Sequence, residues 1–563
     1  MGFADILEIV GSVGKFQIIH VTLLAFPVLI LASHNLLQNF VAVVPDHHCA
    51  IRLEANGSRY GNATDKLQTE ELLRVFIPLD QERQLEKCRV YSSPQWHLLD
   101  LSKKRGNSTG NDTQMCTDGW TYDSSNFKAT IVTEWDLVCS HNALRSMVQS
   151  VYMAGVLTGS IVLGWLSDRY GRRALMLWSH FQLAVSGTCG AYSTSFPLFC
   201  FWRFLCGMAL SGVILNTLCL SVEWIPTKIR TSVATFLNYS YTFGQLLLAG
   251  IAYGIRDWRW LQLTVAIPFY VFFLCSWWFP ESARWLILND KVDVALKQLK
   301  RVAKLNGKEA EGEKLTTAII KSNMEKELSN TKETYTVLDL FRTPVLRKTA
   351  FCTMFVWFST SFSYYGLAID LQGFGVDIYL IQVIFGAVDI PAKLVGVIAM
   401  SYIGRRFTQG TSLILAGSII IANAFIPKEL QATRTAFAAV GKGCLAAAFS
   451  CCYLHAGELY PTVVRQTGMG LVTTMARIGA MVAPVVKLMD DYISFLPMVI
   501  YGGMAIMSGG TSFFLPETLN TPLPDTIEAV ESRAKKGAEK EKEPKRDEIE
   551  LQGTQKSLIE QTI

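Results

Sequence analysis

Two basic residues stand inside long apolar runs: Lys393, in Val388-Asp-Ile-Pro-Ala-Lys393, and Arg477, in Thr474-Met-Ala-Arg477-Ile-Gly. An ionised side chain at bilayer depth is costly, so it normally faces water and marks a path for a ligand. Arginine grips a carboxylate with two parallel hydrogen bonds, whereas lysine acts as a compact point charge. The chemistry such residues offer is recognition of an anion. Asp389 precedes Lys393 by four residues, and a pair along one helix face is the competing use of that lysine. Arg477 has no acid near it in its own run. Lys442, between Gly441 and Gly443, is a weaker candidate that could equally reach for the outer interface.

Aromatic side chains would supply the rest of a site for organic anions: a ring face to stack on and a phenol to donate to a carboxylate. Candidates are Tyr241, Trp357, Tyr364, Tyr365, Phe449 and Tyr453, the last two sharing a helix face. By periodicity alone any one of them reads as packing. His34 and Asn35 are polar residues in an apolar run and are expected at the cavity, although His34 also reads as a core histidine. No catalytic constellation is visible. The sequence has no phosphate-binding glycine loop, its His and Cys show no metal-ligand spacing, and no cofactor is expected.

The elements that must hold these residues are apolar blocks about 20 residues long, the length that crosses a bilayer as a helix. Twelve such blocks run from about 17–39 to about 493–515, in a chain that is 50% apolar and 18% charged. The stretch Met1 to Phe16 reads as a retained amphipathic helix, not a cleaved signal. A formal charge of +5 need not mean a nucleic-acid partner, because the bases sit in loops that share one side. Arg169, Arg172, Arg173, Lys228, Arg230, Arg405 and Arg406 do so, with the basic segment 281–348 and the tail beyond Thr518. Both termini are therefore expected in the cytoplasm.

The long loop at about 40–140 then lies outside. It carries the glycosylation sequons at Asn56, Asn62, Asn107 and Asn111, while a match at Asn238 falls inside an apolar block. It also carries Cys49, Cys88, Cys116 and Cys139, which predict two disulfides in any of three pairings. The segment 281–348 reads as short amphipathic helices on the membrane surface or bracing the bundle, and the charged tail as disordered.

Self-similarity gives the architecture. Glu223-Trp-Ile-Pro-Thr-Lys-Ile-Arg230 recurs as Glu458-Leu-Tyr-Pro-Thr-Val-Val-Arg465, Pro280-Glu-Ser282 as Pro516-Glu-Thr518, and Gly171-Arg-Arg173 as Gly404-Arg-Arg406, all in nearly one register. The predicted fold is an all-α membrane protein of twelve transmembrane helices in two six-helix repeats. The expected division is 1–280, a linker at 281–348, a second half at 349–517, and the tail 518–563. With block boundaries as counted, Lys393 and Arg477 fall roughly 12 and 16 Å from the cytoplasmic face. Asp168, Arg169, Arg172, Glu223, Arg230, Glu458 and Arg465 lie at cytoplasmic helix ends. They are expected to pair across the seam between the halves and latch that side shut.

The run Gly164-Trp-Leu-Ser-Asp168-Arg169-Tyr-Gly171-Arg-Arg173 resembles the loop between helices two and three of the major facilitator superfamily. Thr133-Glu-Trp-Asp-Leu-Val-Cys139, Pro280-Glu-Ser-Ala-Arg-Trp285 and Gly457-Glu-Leu-Tyr-Pro-Thr462 resemble the organic-ion transporters of solute carrier family 22. The likeness spans nearly the whole chain. It implies that Lys393 and Arg477 match the family's anion-contacting bases, where cation carriers have an aspartate at the second position. It also implies that the aromatic candidates line the cavity. The implied substrates are para-aminohippurate-like carboxylates, drugs and metabolites, exchanged for a dicarboxylate such as 2-oxoglutarate at the basolateral membrane of renal epithelium. Competing readings are a carrier of organic cations or zwitterions, which Arg477 opposes, and a sensor that binds without transporting.

Overall fold

The computed structural model describes residues 3–51, 69–95, 112–322 and 337–533, less positions 12, 81–83, 227–228, 370, 428, 462, 494, 522–523 and 525. The four predicted sequons lie outside the described residues, as do residues 534–563. Twelve long helical stretches form the body. In the first half they are α1 Lys15–Leu36, α2 Asn142–Tyr170, α3 Arg172–Ala191, α4 Phe196–Glu223, α5 Arg230–Gly254 and α6, made of Trp258–Ala266 and Pro268–Ser276. In the second they are α7 Pro344–Ala368, α8 Ile378–Tyr402, α9 Arg405–Ala424, α10 Gln431–Leu459, α11 Arg465–Lys487 and α12 Leu496–Ser512. The break in α6 falls at Pro268, whose nitrogen cannot donate to the ladder.

Eight of these stretches are long and apolar enough to cross a membrane by composition alone. The others carry more polar residues or are shorter, and they hide that polarity within the bundle. In α7, Ser359 and Ser363 donate to the carbonyls of Met504 and Tyr501 on α12, at 2.7 and 2.8 Å. Such bonds, with small residues at close contacts, hold helices together where no hydrophobic force acts between them. Gly155 and Gly207 let α2 and α4 approach until a Cβ at either position would overlap the partner's backbone. The halves meet along α2 against α11 and α5 against α8.

The loop between α1 and α2 departs from the all-α expectation. It contains two antiparallel pairs of short strands, His47–Cys49 with Trp120–Tyr122 and Arg89–Tyr91 with Thr113–Met115. Of the three open pairings, the disulfides are Cys49–Cys116 and Cys88–Cys139. Glu134 anchors the loop to the bundle, accepting from Trp258 Nε1 at 2.9 Å and pairing with Arg259. Beside it, Trp135 packs on Phe199 and Trp258.

The linker braces the opposite end of the first half. Its helices Ala283–Leu288 and Val292–Leu305 bury an apolar face with Ile6, Leu7 and Val10 of the amino-terminal helix Phe3–Val10 and with Trp224. Asn306 ties the chain start down, accepting from Phe16 N–H at 3.0 Å and donating to the carbonyls of Val10 and Gly11.

The three repeated motifs converge in space on one unit, built twice. At the start of α3, Glu281 accepts from the Arg172 and Arg173 backbone N–H groups; at the start of α9, Glu517 accepts from those of Arg405 and Arg406. A carboxylate at a helix amino terminus satisfies orphan donors and complements the dipole. Gly171 and Gly404 precede these helices at φ +101° and +112°, and a Cβ at either would overlap the capping carboxylate. Replacing Glu281 or Glu517 by alanine is expected to destabilise the protein by about 0.5–2 kcal/mol, the usual cost of a lost cap. A lowered melting temperature of detergent-solubilised protein checks this; an unchanged one in both variants would refute it.

Candidate functional site

Between the halves lies a cavity of about 180 Å³. Nine of the ten predicted binding residues line it: Asn35 from α1, Tyr241 from α5, Trp357, Tyr364 and Tyr365 from α7, Lys393 from α8, Phe449 and Tyr453 from α10, and Arg477 from α11. His34 does not. It is buried in the first half, its ring 5.4 Å from that of Phe269 on α6, because adjacent helix positions point about 100° apart and Asn35 takes the cavity side.

The aromatic wall is continuous. Trp357 meets Tyr453 edge-on at 4.5 Å and Phe449 at 6.2 Å, and Tyr364 meets Phe449 at 5.7 Å and Tyr365 at 5.5 Å. Edge-to-face contacts of this kind keep rings in fixed orientations, a rigid surface for a planar ligand. Asn35 joins the halves across the cavity: its amide donates to the Tyr241 hydroxyl at 2.6 Å and to the Tyr365 hydroxyl at 3.0 Å.

The charges are arranged differently from the competing reading of Lys393. Asp389 does not pair with Lys393. Its Oδ2 lies 3.0 Å from Lys442 Nζ, with both side chains almost wholly buried, and Gln245 of α5 donates to the same oxygen at 3.4 Å. Lys442 also donates to the Phe385 carbonyl at 2.9 Å, so it does not reach for the interface. Lys393 turns instead to α5, donating to Asn238 Oδ1 at 2.9 Å and Thr242 Oγ1 at 2.8 Å. An ammonium in a water-poor seam goes where its partner is fully ionic, and Lys442 from the facing helix occupies that place at Asp389. Lys393 is left with neutral oxygens. Arg477 has neither a carboxylate nor a hydrogen-bond partner among the described residues. The cavity thus faces its ligand with two uncompensated positive charges.

A third buried base, Arg203 in α4, escaped the sequence reading. It is 1% exposed, its guanidinium sits 4.3 Å above the Tyr152 ring, and no described carboxylate meets it. The signal was present, since an arginine stands within Phe201-Trp-Arg203-Phe-Leu.

The predicted latch residues lie together, but within each half. Arg172 pairs with Asp168 at 2.8 Å and with Glu223 at 3.5 Å; Arg405 pairs with Glu458 at 3.1 Å. Arg230 and Arg465 donate to the Ile225 and Tyr460 carbonyls, each turning back over its own Pro turn. Arg169 stacks on Trp165 and Tyr170. Besides the bonds between the halves at the central cavity, others lie on its loop side. Asn39 donates to the Ala368 carbonyl at 3.0 Å, Ser150 to that of Met481 at 3.1 Å, and Gln372 both accepts from Val44 N–H at 3.1 Å and donates to its carbonyl at 3.2 Å.

A family model described as sugar (and other) transporter matches residues 100–529. Solute carrier family 22 member 6-A of Xenopus laevis is 57% identical over 95% of both chains. This chain belongs to solute carrier family 22. Member 6 of Danio rerio is 52% identical over the full length of both, and organic anion transporter 3 of Pongo abelii is 47% identical over 97% of this chain and 96% of its own. The family 22 fold is that of the major facilitators: the inward-open xylose transporter XylE from E. coli superposes with a TM-score of 0.55 at 19% identity, covering 70% of this chain and 90% of its own. A D-xylose-proton symporter does so at 0.55 and 15% identity, covering 91% and 100%. A family 22 member is a transporter and not an enzyme.

Proposed function

We propose that the protein carries organic anions across the plasma membrane by alternating access, exchanging an external aromatic carboxylate for an internal dicarboxylate. One observation carries the reading: Lys393 and Arg477 face an aromatic cavity without a carboxylate partner among the described residues, while Asp389 is neutralised by Lys442. A cation would meet two like charges there. A monocarboxylate with a ring matches one base and the aromatic wall, and a dicarboxylate such as 2-oxoglutarate matches both bases. With the basic linker on the cytoplasmic side, the disulfide-bonded loop is extracellular and both termini are inside. Each half carries its own cluster of charges at the cytoplasmic end, so each reorients as one body while the bonds on the loop side break and re-form.

Uptake of labelled para-aminohippurate by cells expressing the chain tests this. Preloading with 2-oxoglutarate is expected to accelerate influx several-fold. Influx indifferent to preload, yet strongly dependent on a sodium or proton gradient in vesicles, would overturn the exchange mechanism.

A further inference from the structure

The side of α5 that meets α8 carries Asn238, Thr242 and Gln245, four and three positions apart and so on one helix face. Each of them touches an ionic group of the other half. Gln245 meets the Asp389–Lys442 pair, donating to Asp389 Oδ2 and accepting from Lys442, both at 3.4 Å. Those two charges already compensate each other. Asn238 and Thr242 instead share Lys393, which has only neutral partners. Its ammonium donates to Asn238 Oδ1 at 2.9 Å, to Thr242 Oγ1 at 2.8 Å and to the Asn238 carbonyl at 3.4 Å. Thr242 directs its own proton to that carbonyl at 3.3 Å, which leaves its lone pairs for the lysine.

Two consequences meet at Lys393. Its partners belong to the opposite half, so the contact ties α8 to α5 and must break when the halves turn past each other. Its partners are also neutral, so a ligand carboxylate displaces them, because a hydrogen bond with both ends ionised is stronger. Lys393 and Asn238 both line the central cavity, where the ligand arrives, while Thr242 is fully buried behind them.

We propose that Asn238 and Thr242 are positioning residues that hold Lys393 as a tether in the empty carrier, and that an anion releases the tether by taking the ammonium. The ligand then binds the untethered state better, which is the differential affinity that any population shift requires. An empty carrier reorients slowly and a loaded one quickly, so that anions are exchanged and do not leak one way. The inference rests on the exchange reading above and supplies the device that enforces it.

The test is surface-corrected efflux of labelled 2-oxoglutarate from preloaded cells, into medium with and without para-aminohippurate. In the unaltered protein, efflux should need the external anion. Thr242→Val keeps the side chain's shape and loses the acceptor, and Asn238→Ala loses the amide oxygen. Each is expected to raise efflux into anion-free medium about tenfold, the effect of one lost charge-assisted hydrogen bond. External KM should fall as well in Thr242→Val, because the ammonium no longer has to be taken from α5. Thr242→Ser, which keeps the oxygen, should restore dependence on the external anion. Anion-free efflux at the unaltered level in both Thr242→Val and Asn238→Ala overturns the tether, as does equal leak in Thr242→Ser, which marks a packing role. Should one of the two not reach the surface, the other decides. Efflux from the unaltered protein that ignores the external anion would instead refute the exchange reading itself.

Discussion

Arg477→Ala is expected to leave the protein folded and at the surface while lowering anion affinity about ten- to more than a hundredfold. Removing one desolvated charge-assisted contact costs roughly 1.5–3 kcal/mol. The fold should tolerate the change because no described hydrogen bond or ion pair holds the guanidinium. Arg477→Lys should recover only part of the loss, since a point charge does not reproduce the two-pronged grip on a carboxylate. The measurement is surface-corrected transport of an organic anion and of a quaternary ammonium cation by both variants. Anion transport at normal affinity in Arg477→Ala would remove the main reason for assigning anions to this cavity.

Asp389 and Lys442 should behave in the opposite manner. Either residue alone, replaced by an apolar one, leaves a buried charge without its counter-ion. Breaking such a pair typically costs about 3–5 kcal/mol. Asp389→Leu and Lys442→Met should therefore each lower surface abundance and thermal stability sharply. The double variant should regain most of both, because no charge is then stranded. A double-mutant cycle on the melting temperature reads the coupling directly. Additive losses would mean that the two charges do not act as a pair. Lys393→Ala should be milder for the fold than either, since Lys393 gives up only neutral oxygens of Asn238 and Thr242.

The contrast between these residues marks where the sequence stops being sufficient. Lys393 and Arg477 stand out because a base in an apolar run is rare for a stated reason, and both face the cavity. The repeat was legible for a similar reason: a Gly-Arg-Arg start and a Pro-Glu return keep their spacing because each pair builds one cap. Helix ends were blurred by a few residues, since polar first and last turns continue beyond the apolar block; α2 runs Asn142–Tyr170 where the apolar stretch spans about 146–166. The partner of Asp389 was not legible. Lys393 shares its helix, but Lys442 arrives on α10, and only the packing of α8 against α10 decides between two lysines. Disulfide pairing has the same character. His34 and Asn35 show how far periodicity reaches: of these two adjacent polar residues only Asn35 lines the cavity, whereas the adjacent Tyr364 and Tyr365 both do, and nothing local distinguishes the two cases.

The twin charge clusters carry one more consequence. The ion pairs described at the linker end close within a half, and the bonds that cross the seam on the loop side are made largely by amides, hydroxyls and carbonyls. Ions in solution screen exposed charge pairs and hardly touch neutral hydrogen bonds. Reorientation of the empty carrier should then proceed at nearly the same speed in dilute and concentrated inert electrolyte. Capture of the charged substrate should weaken as that electrolyte is raised.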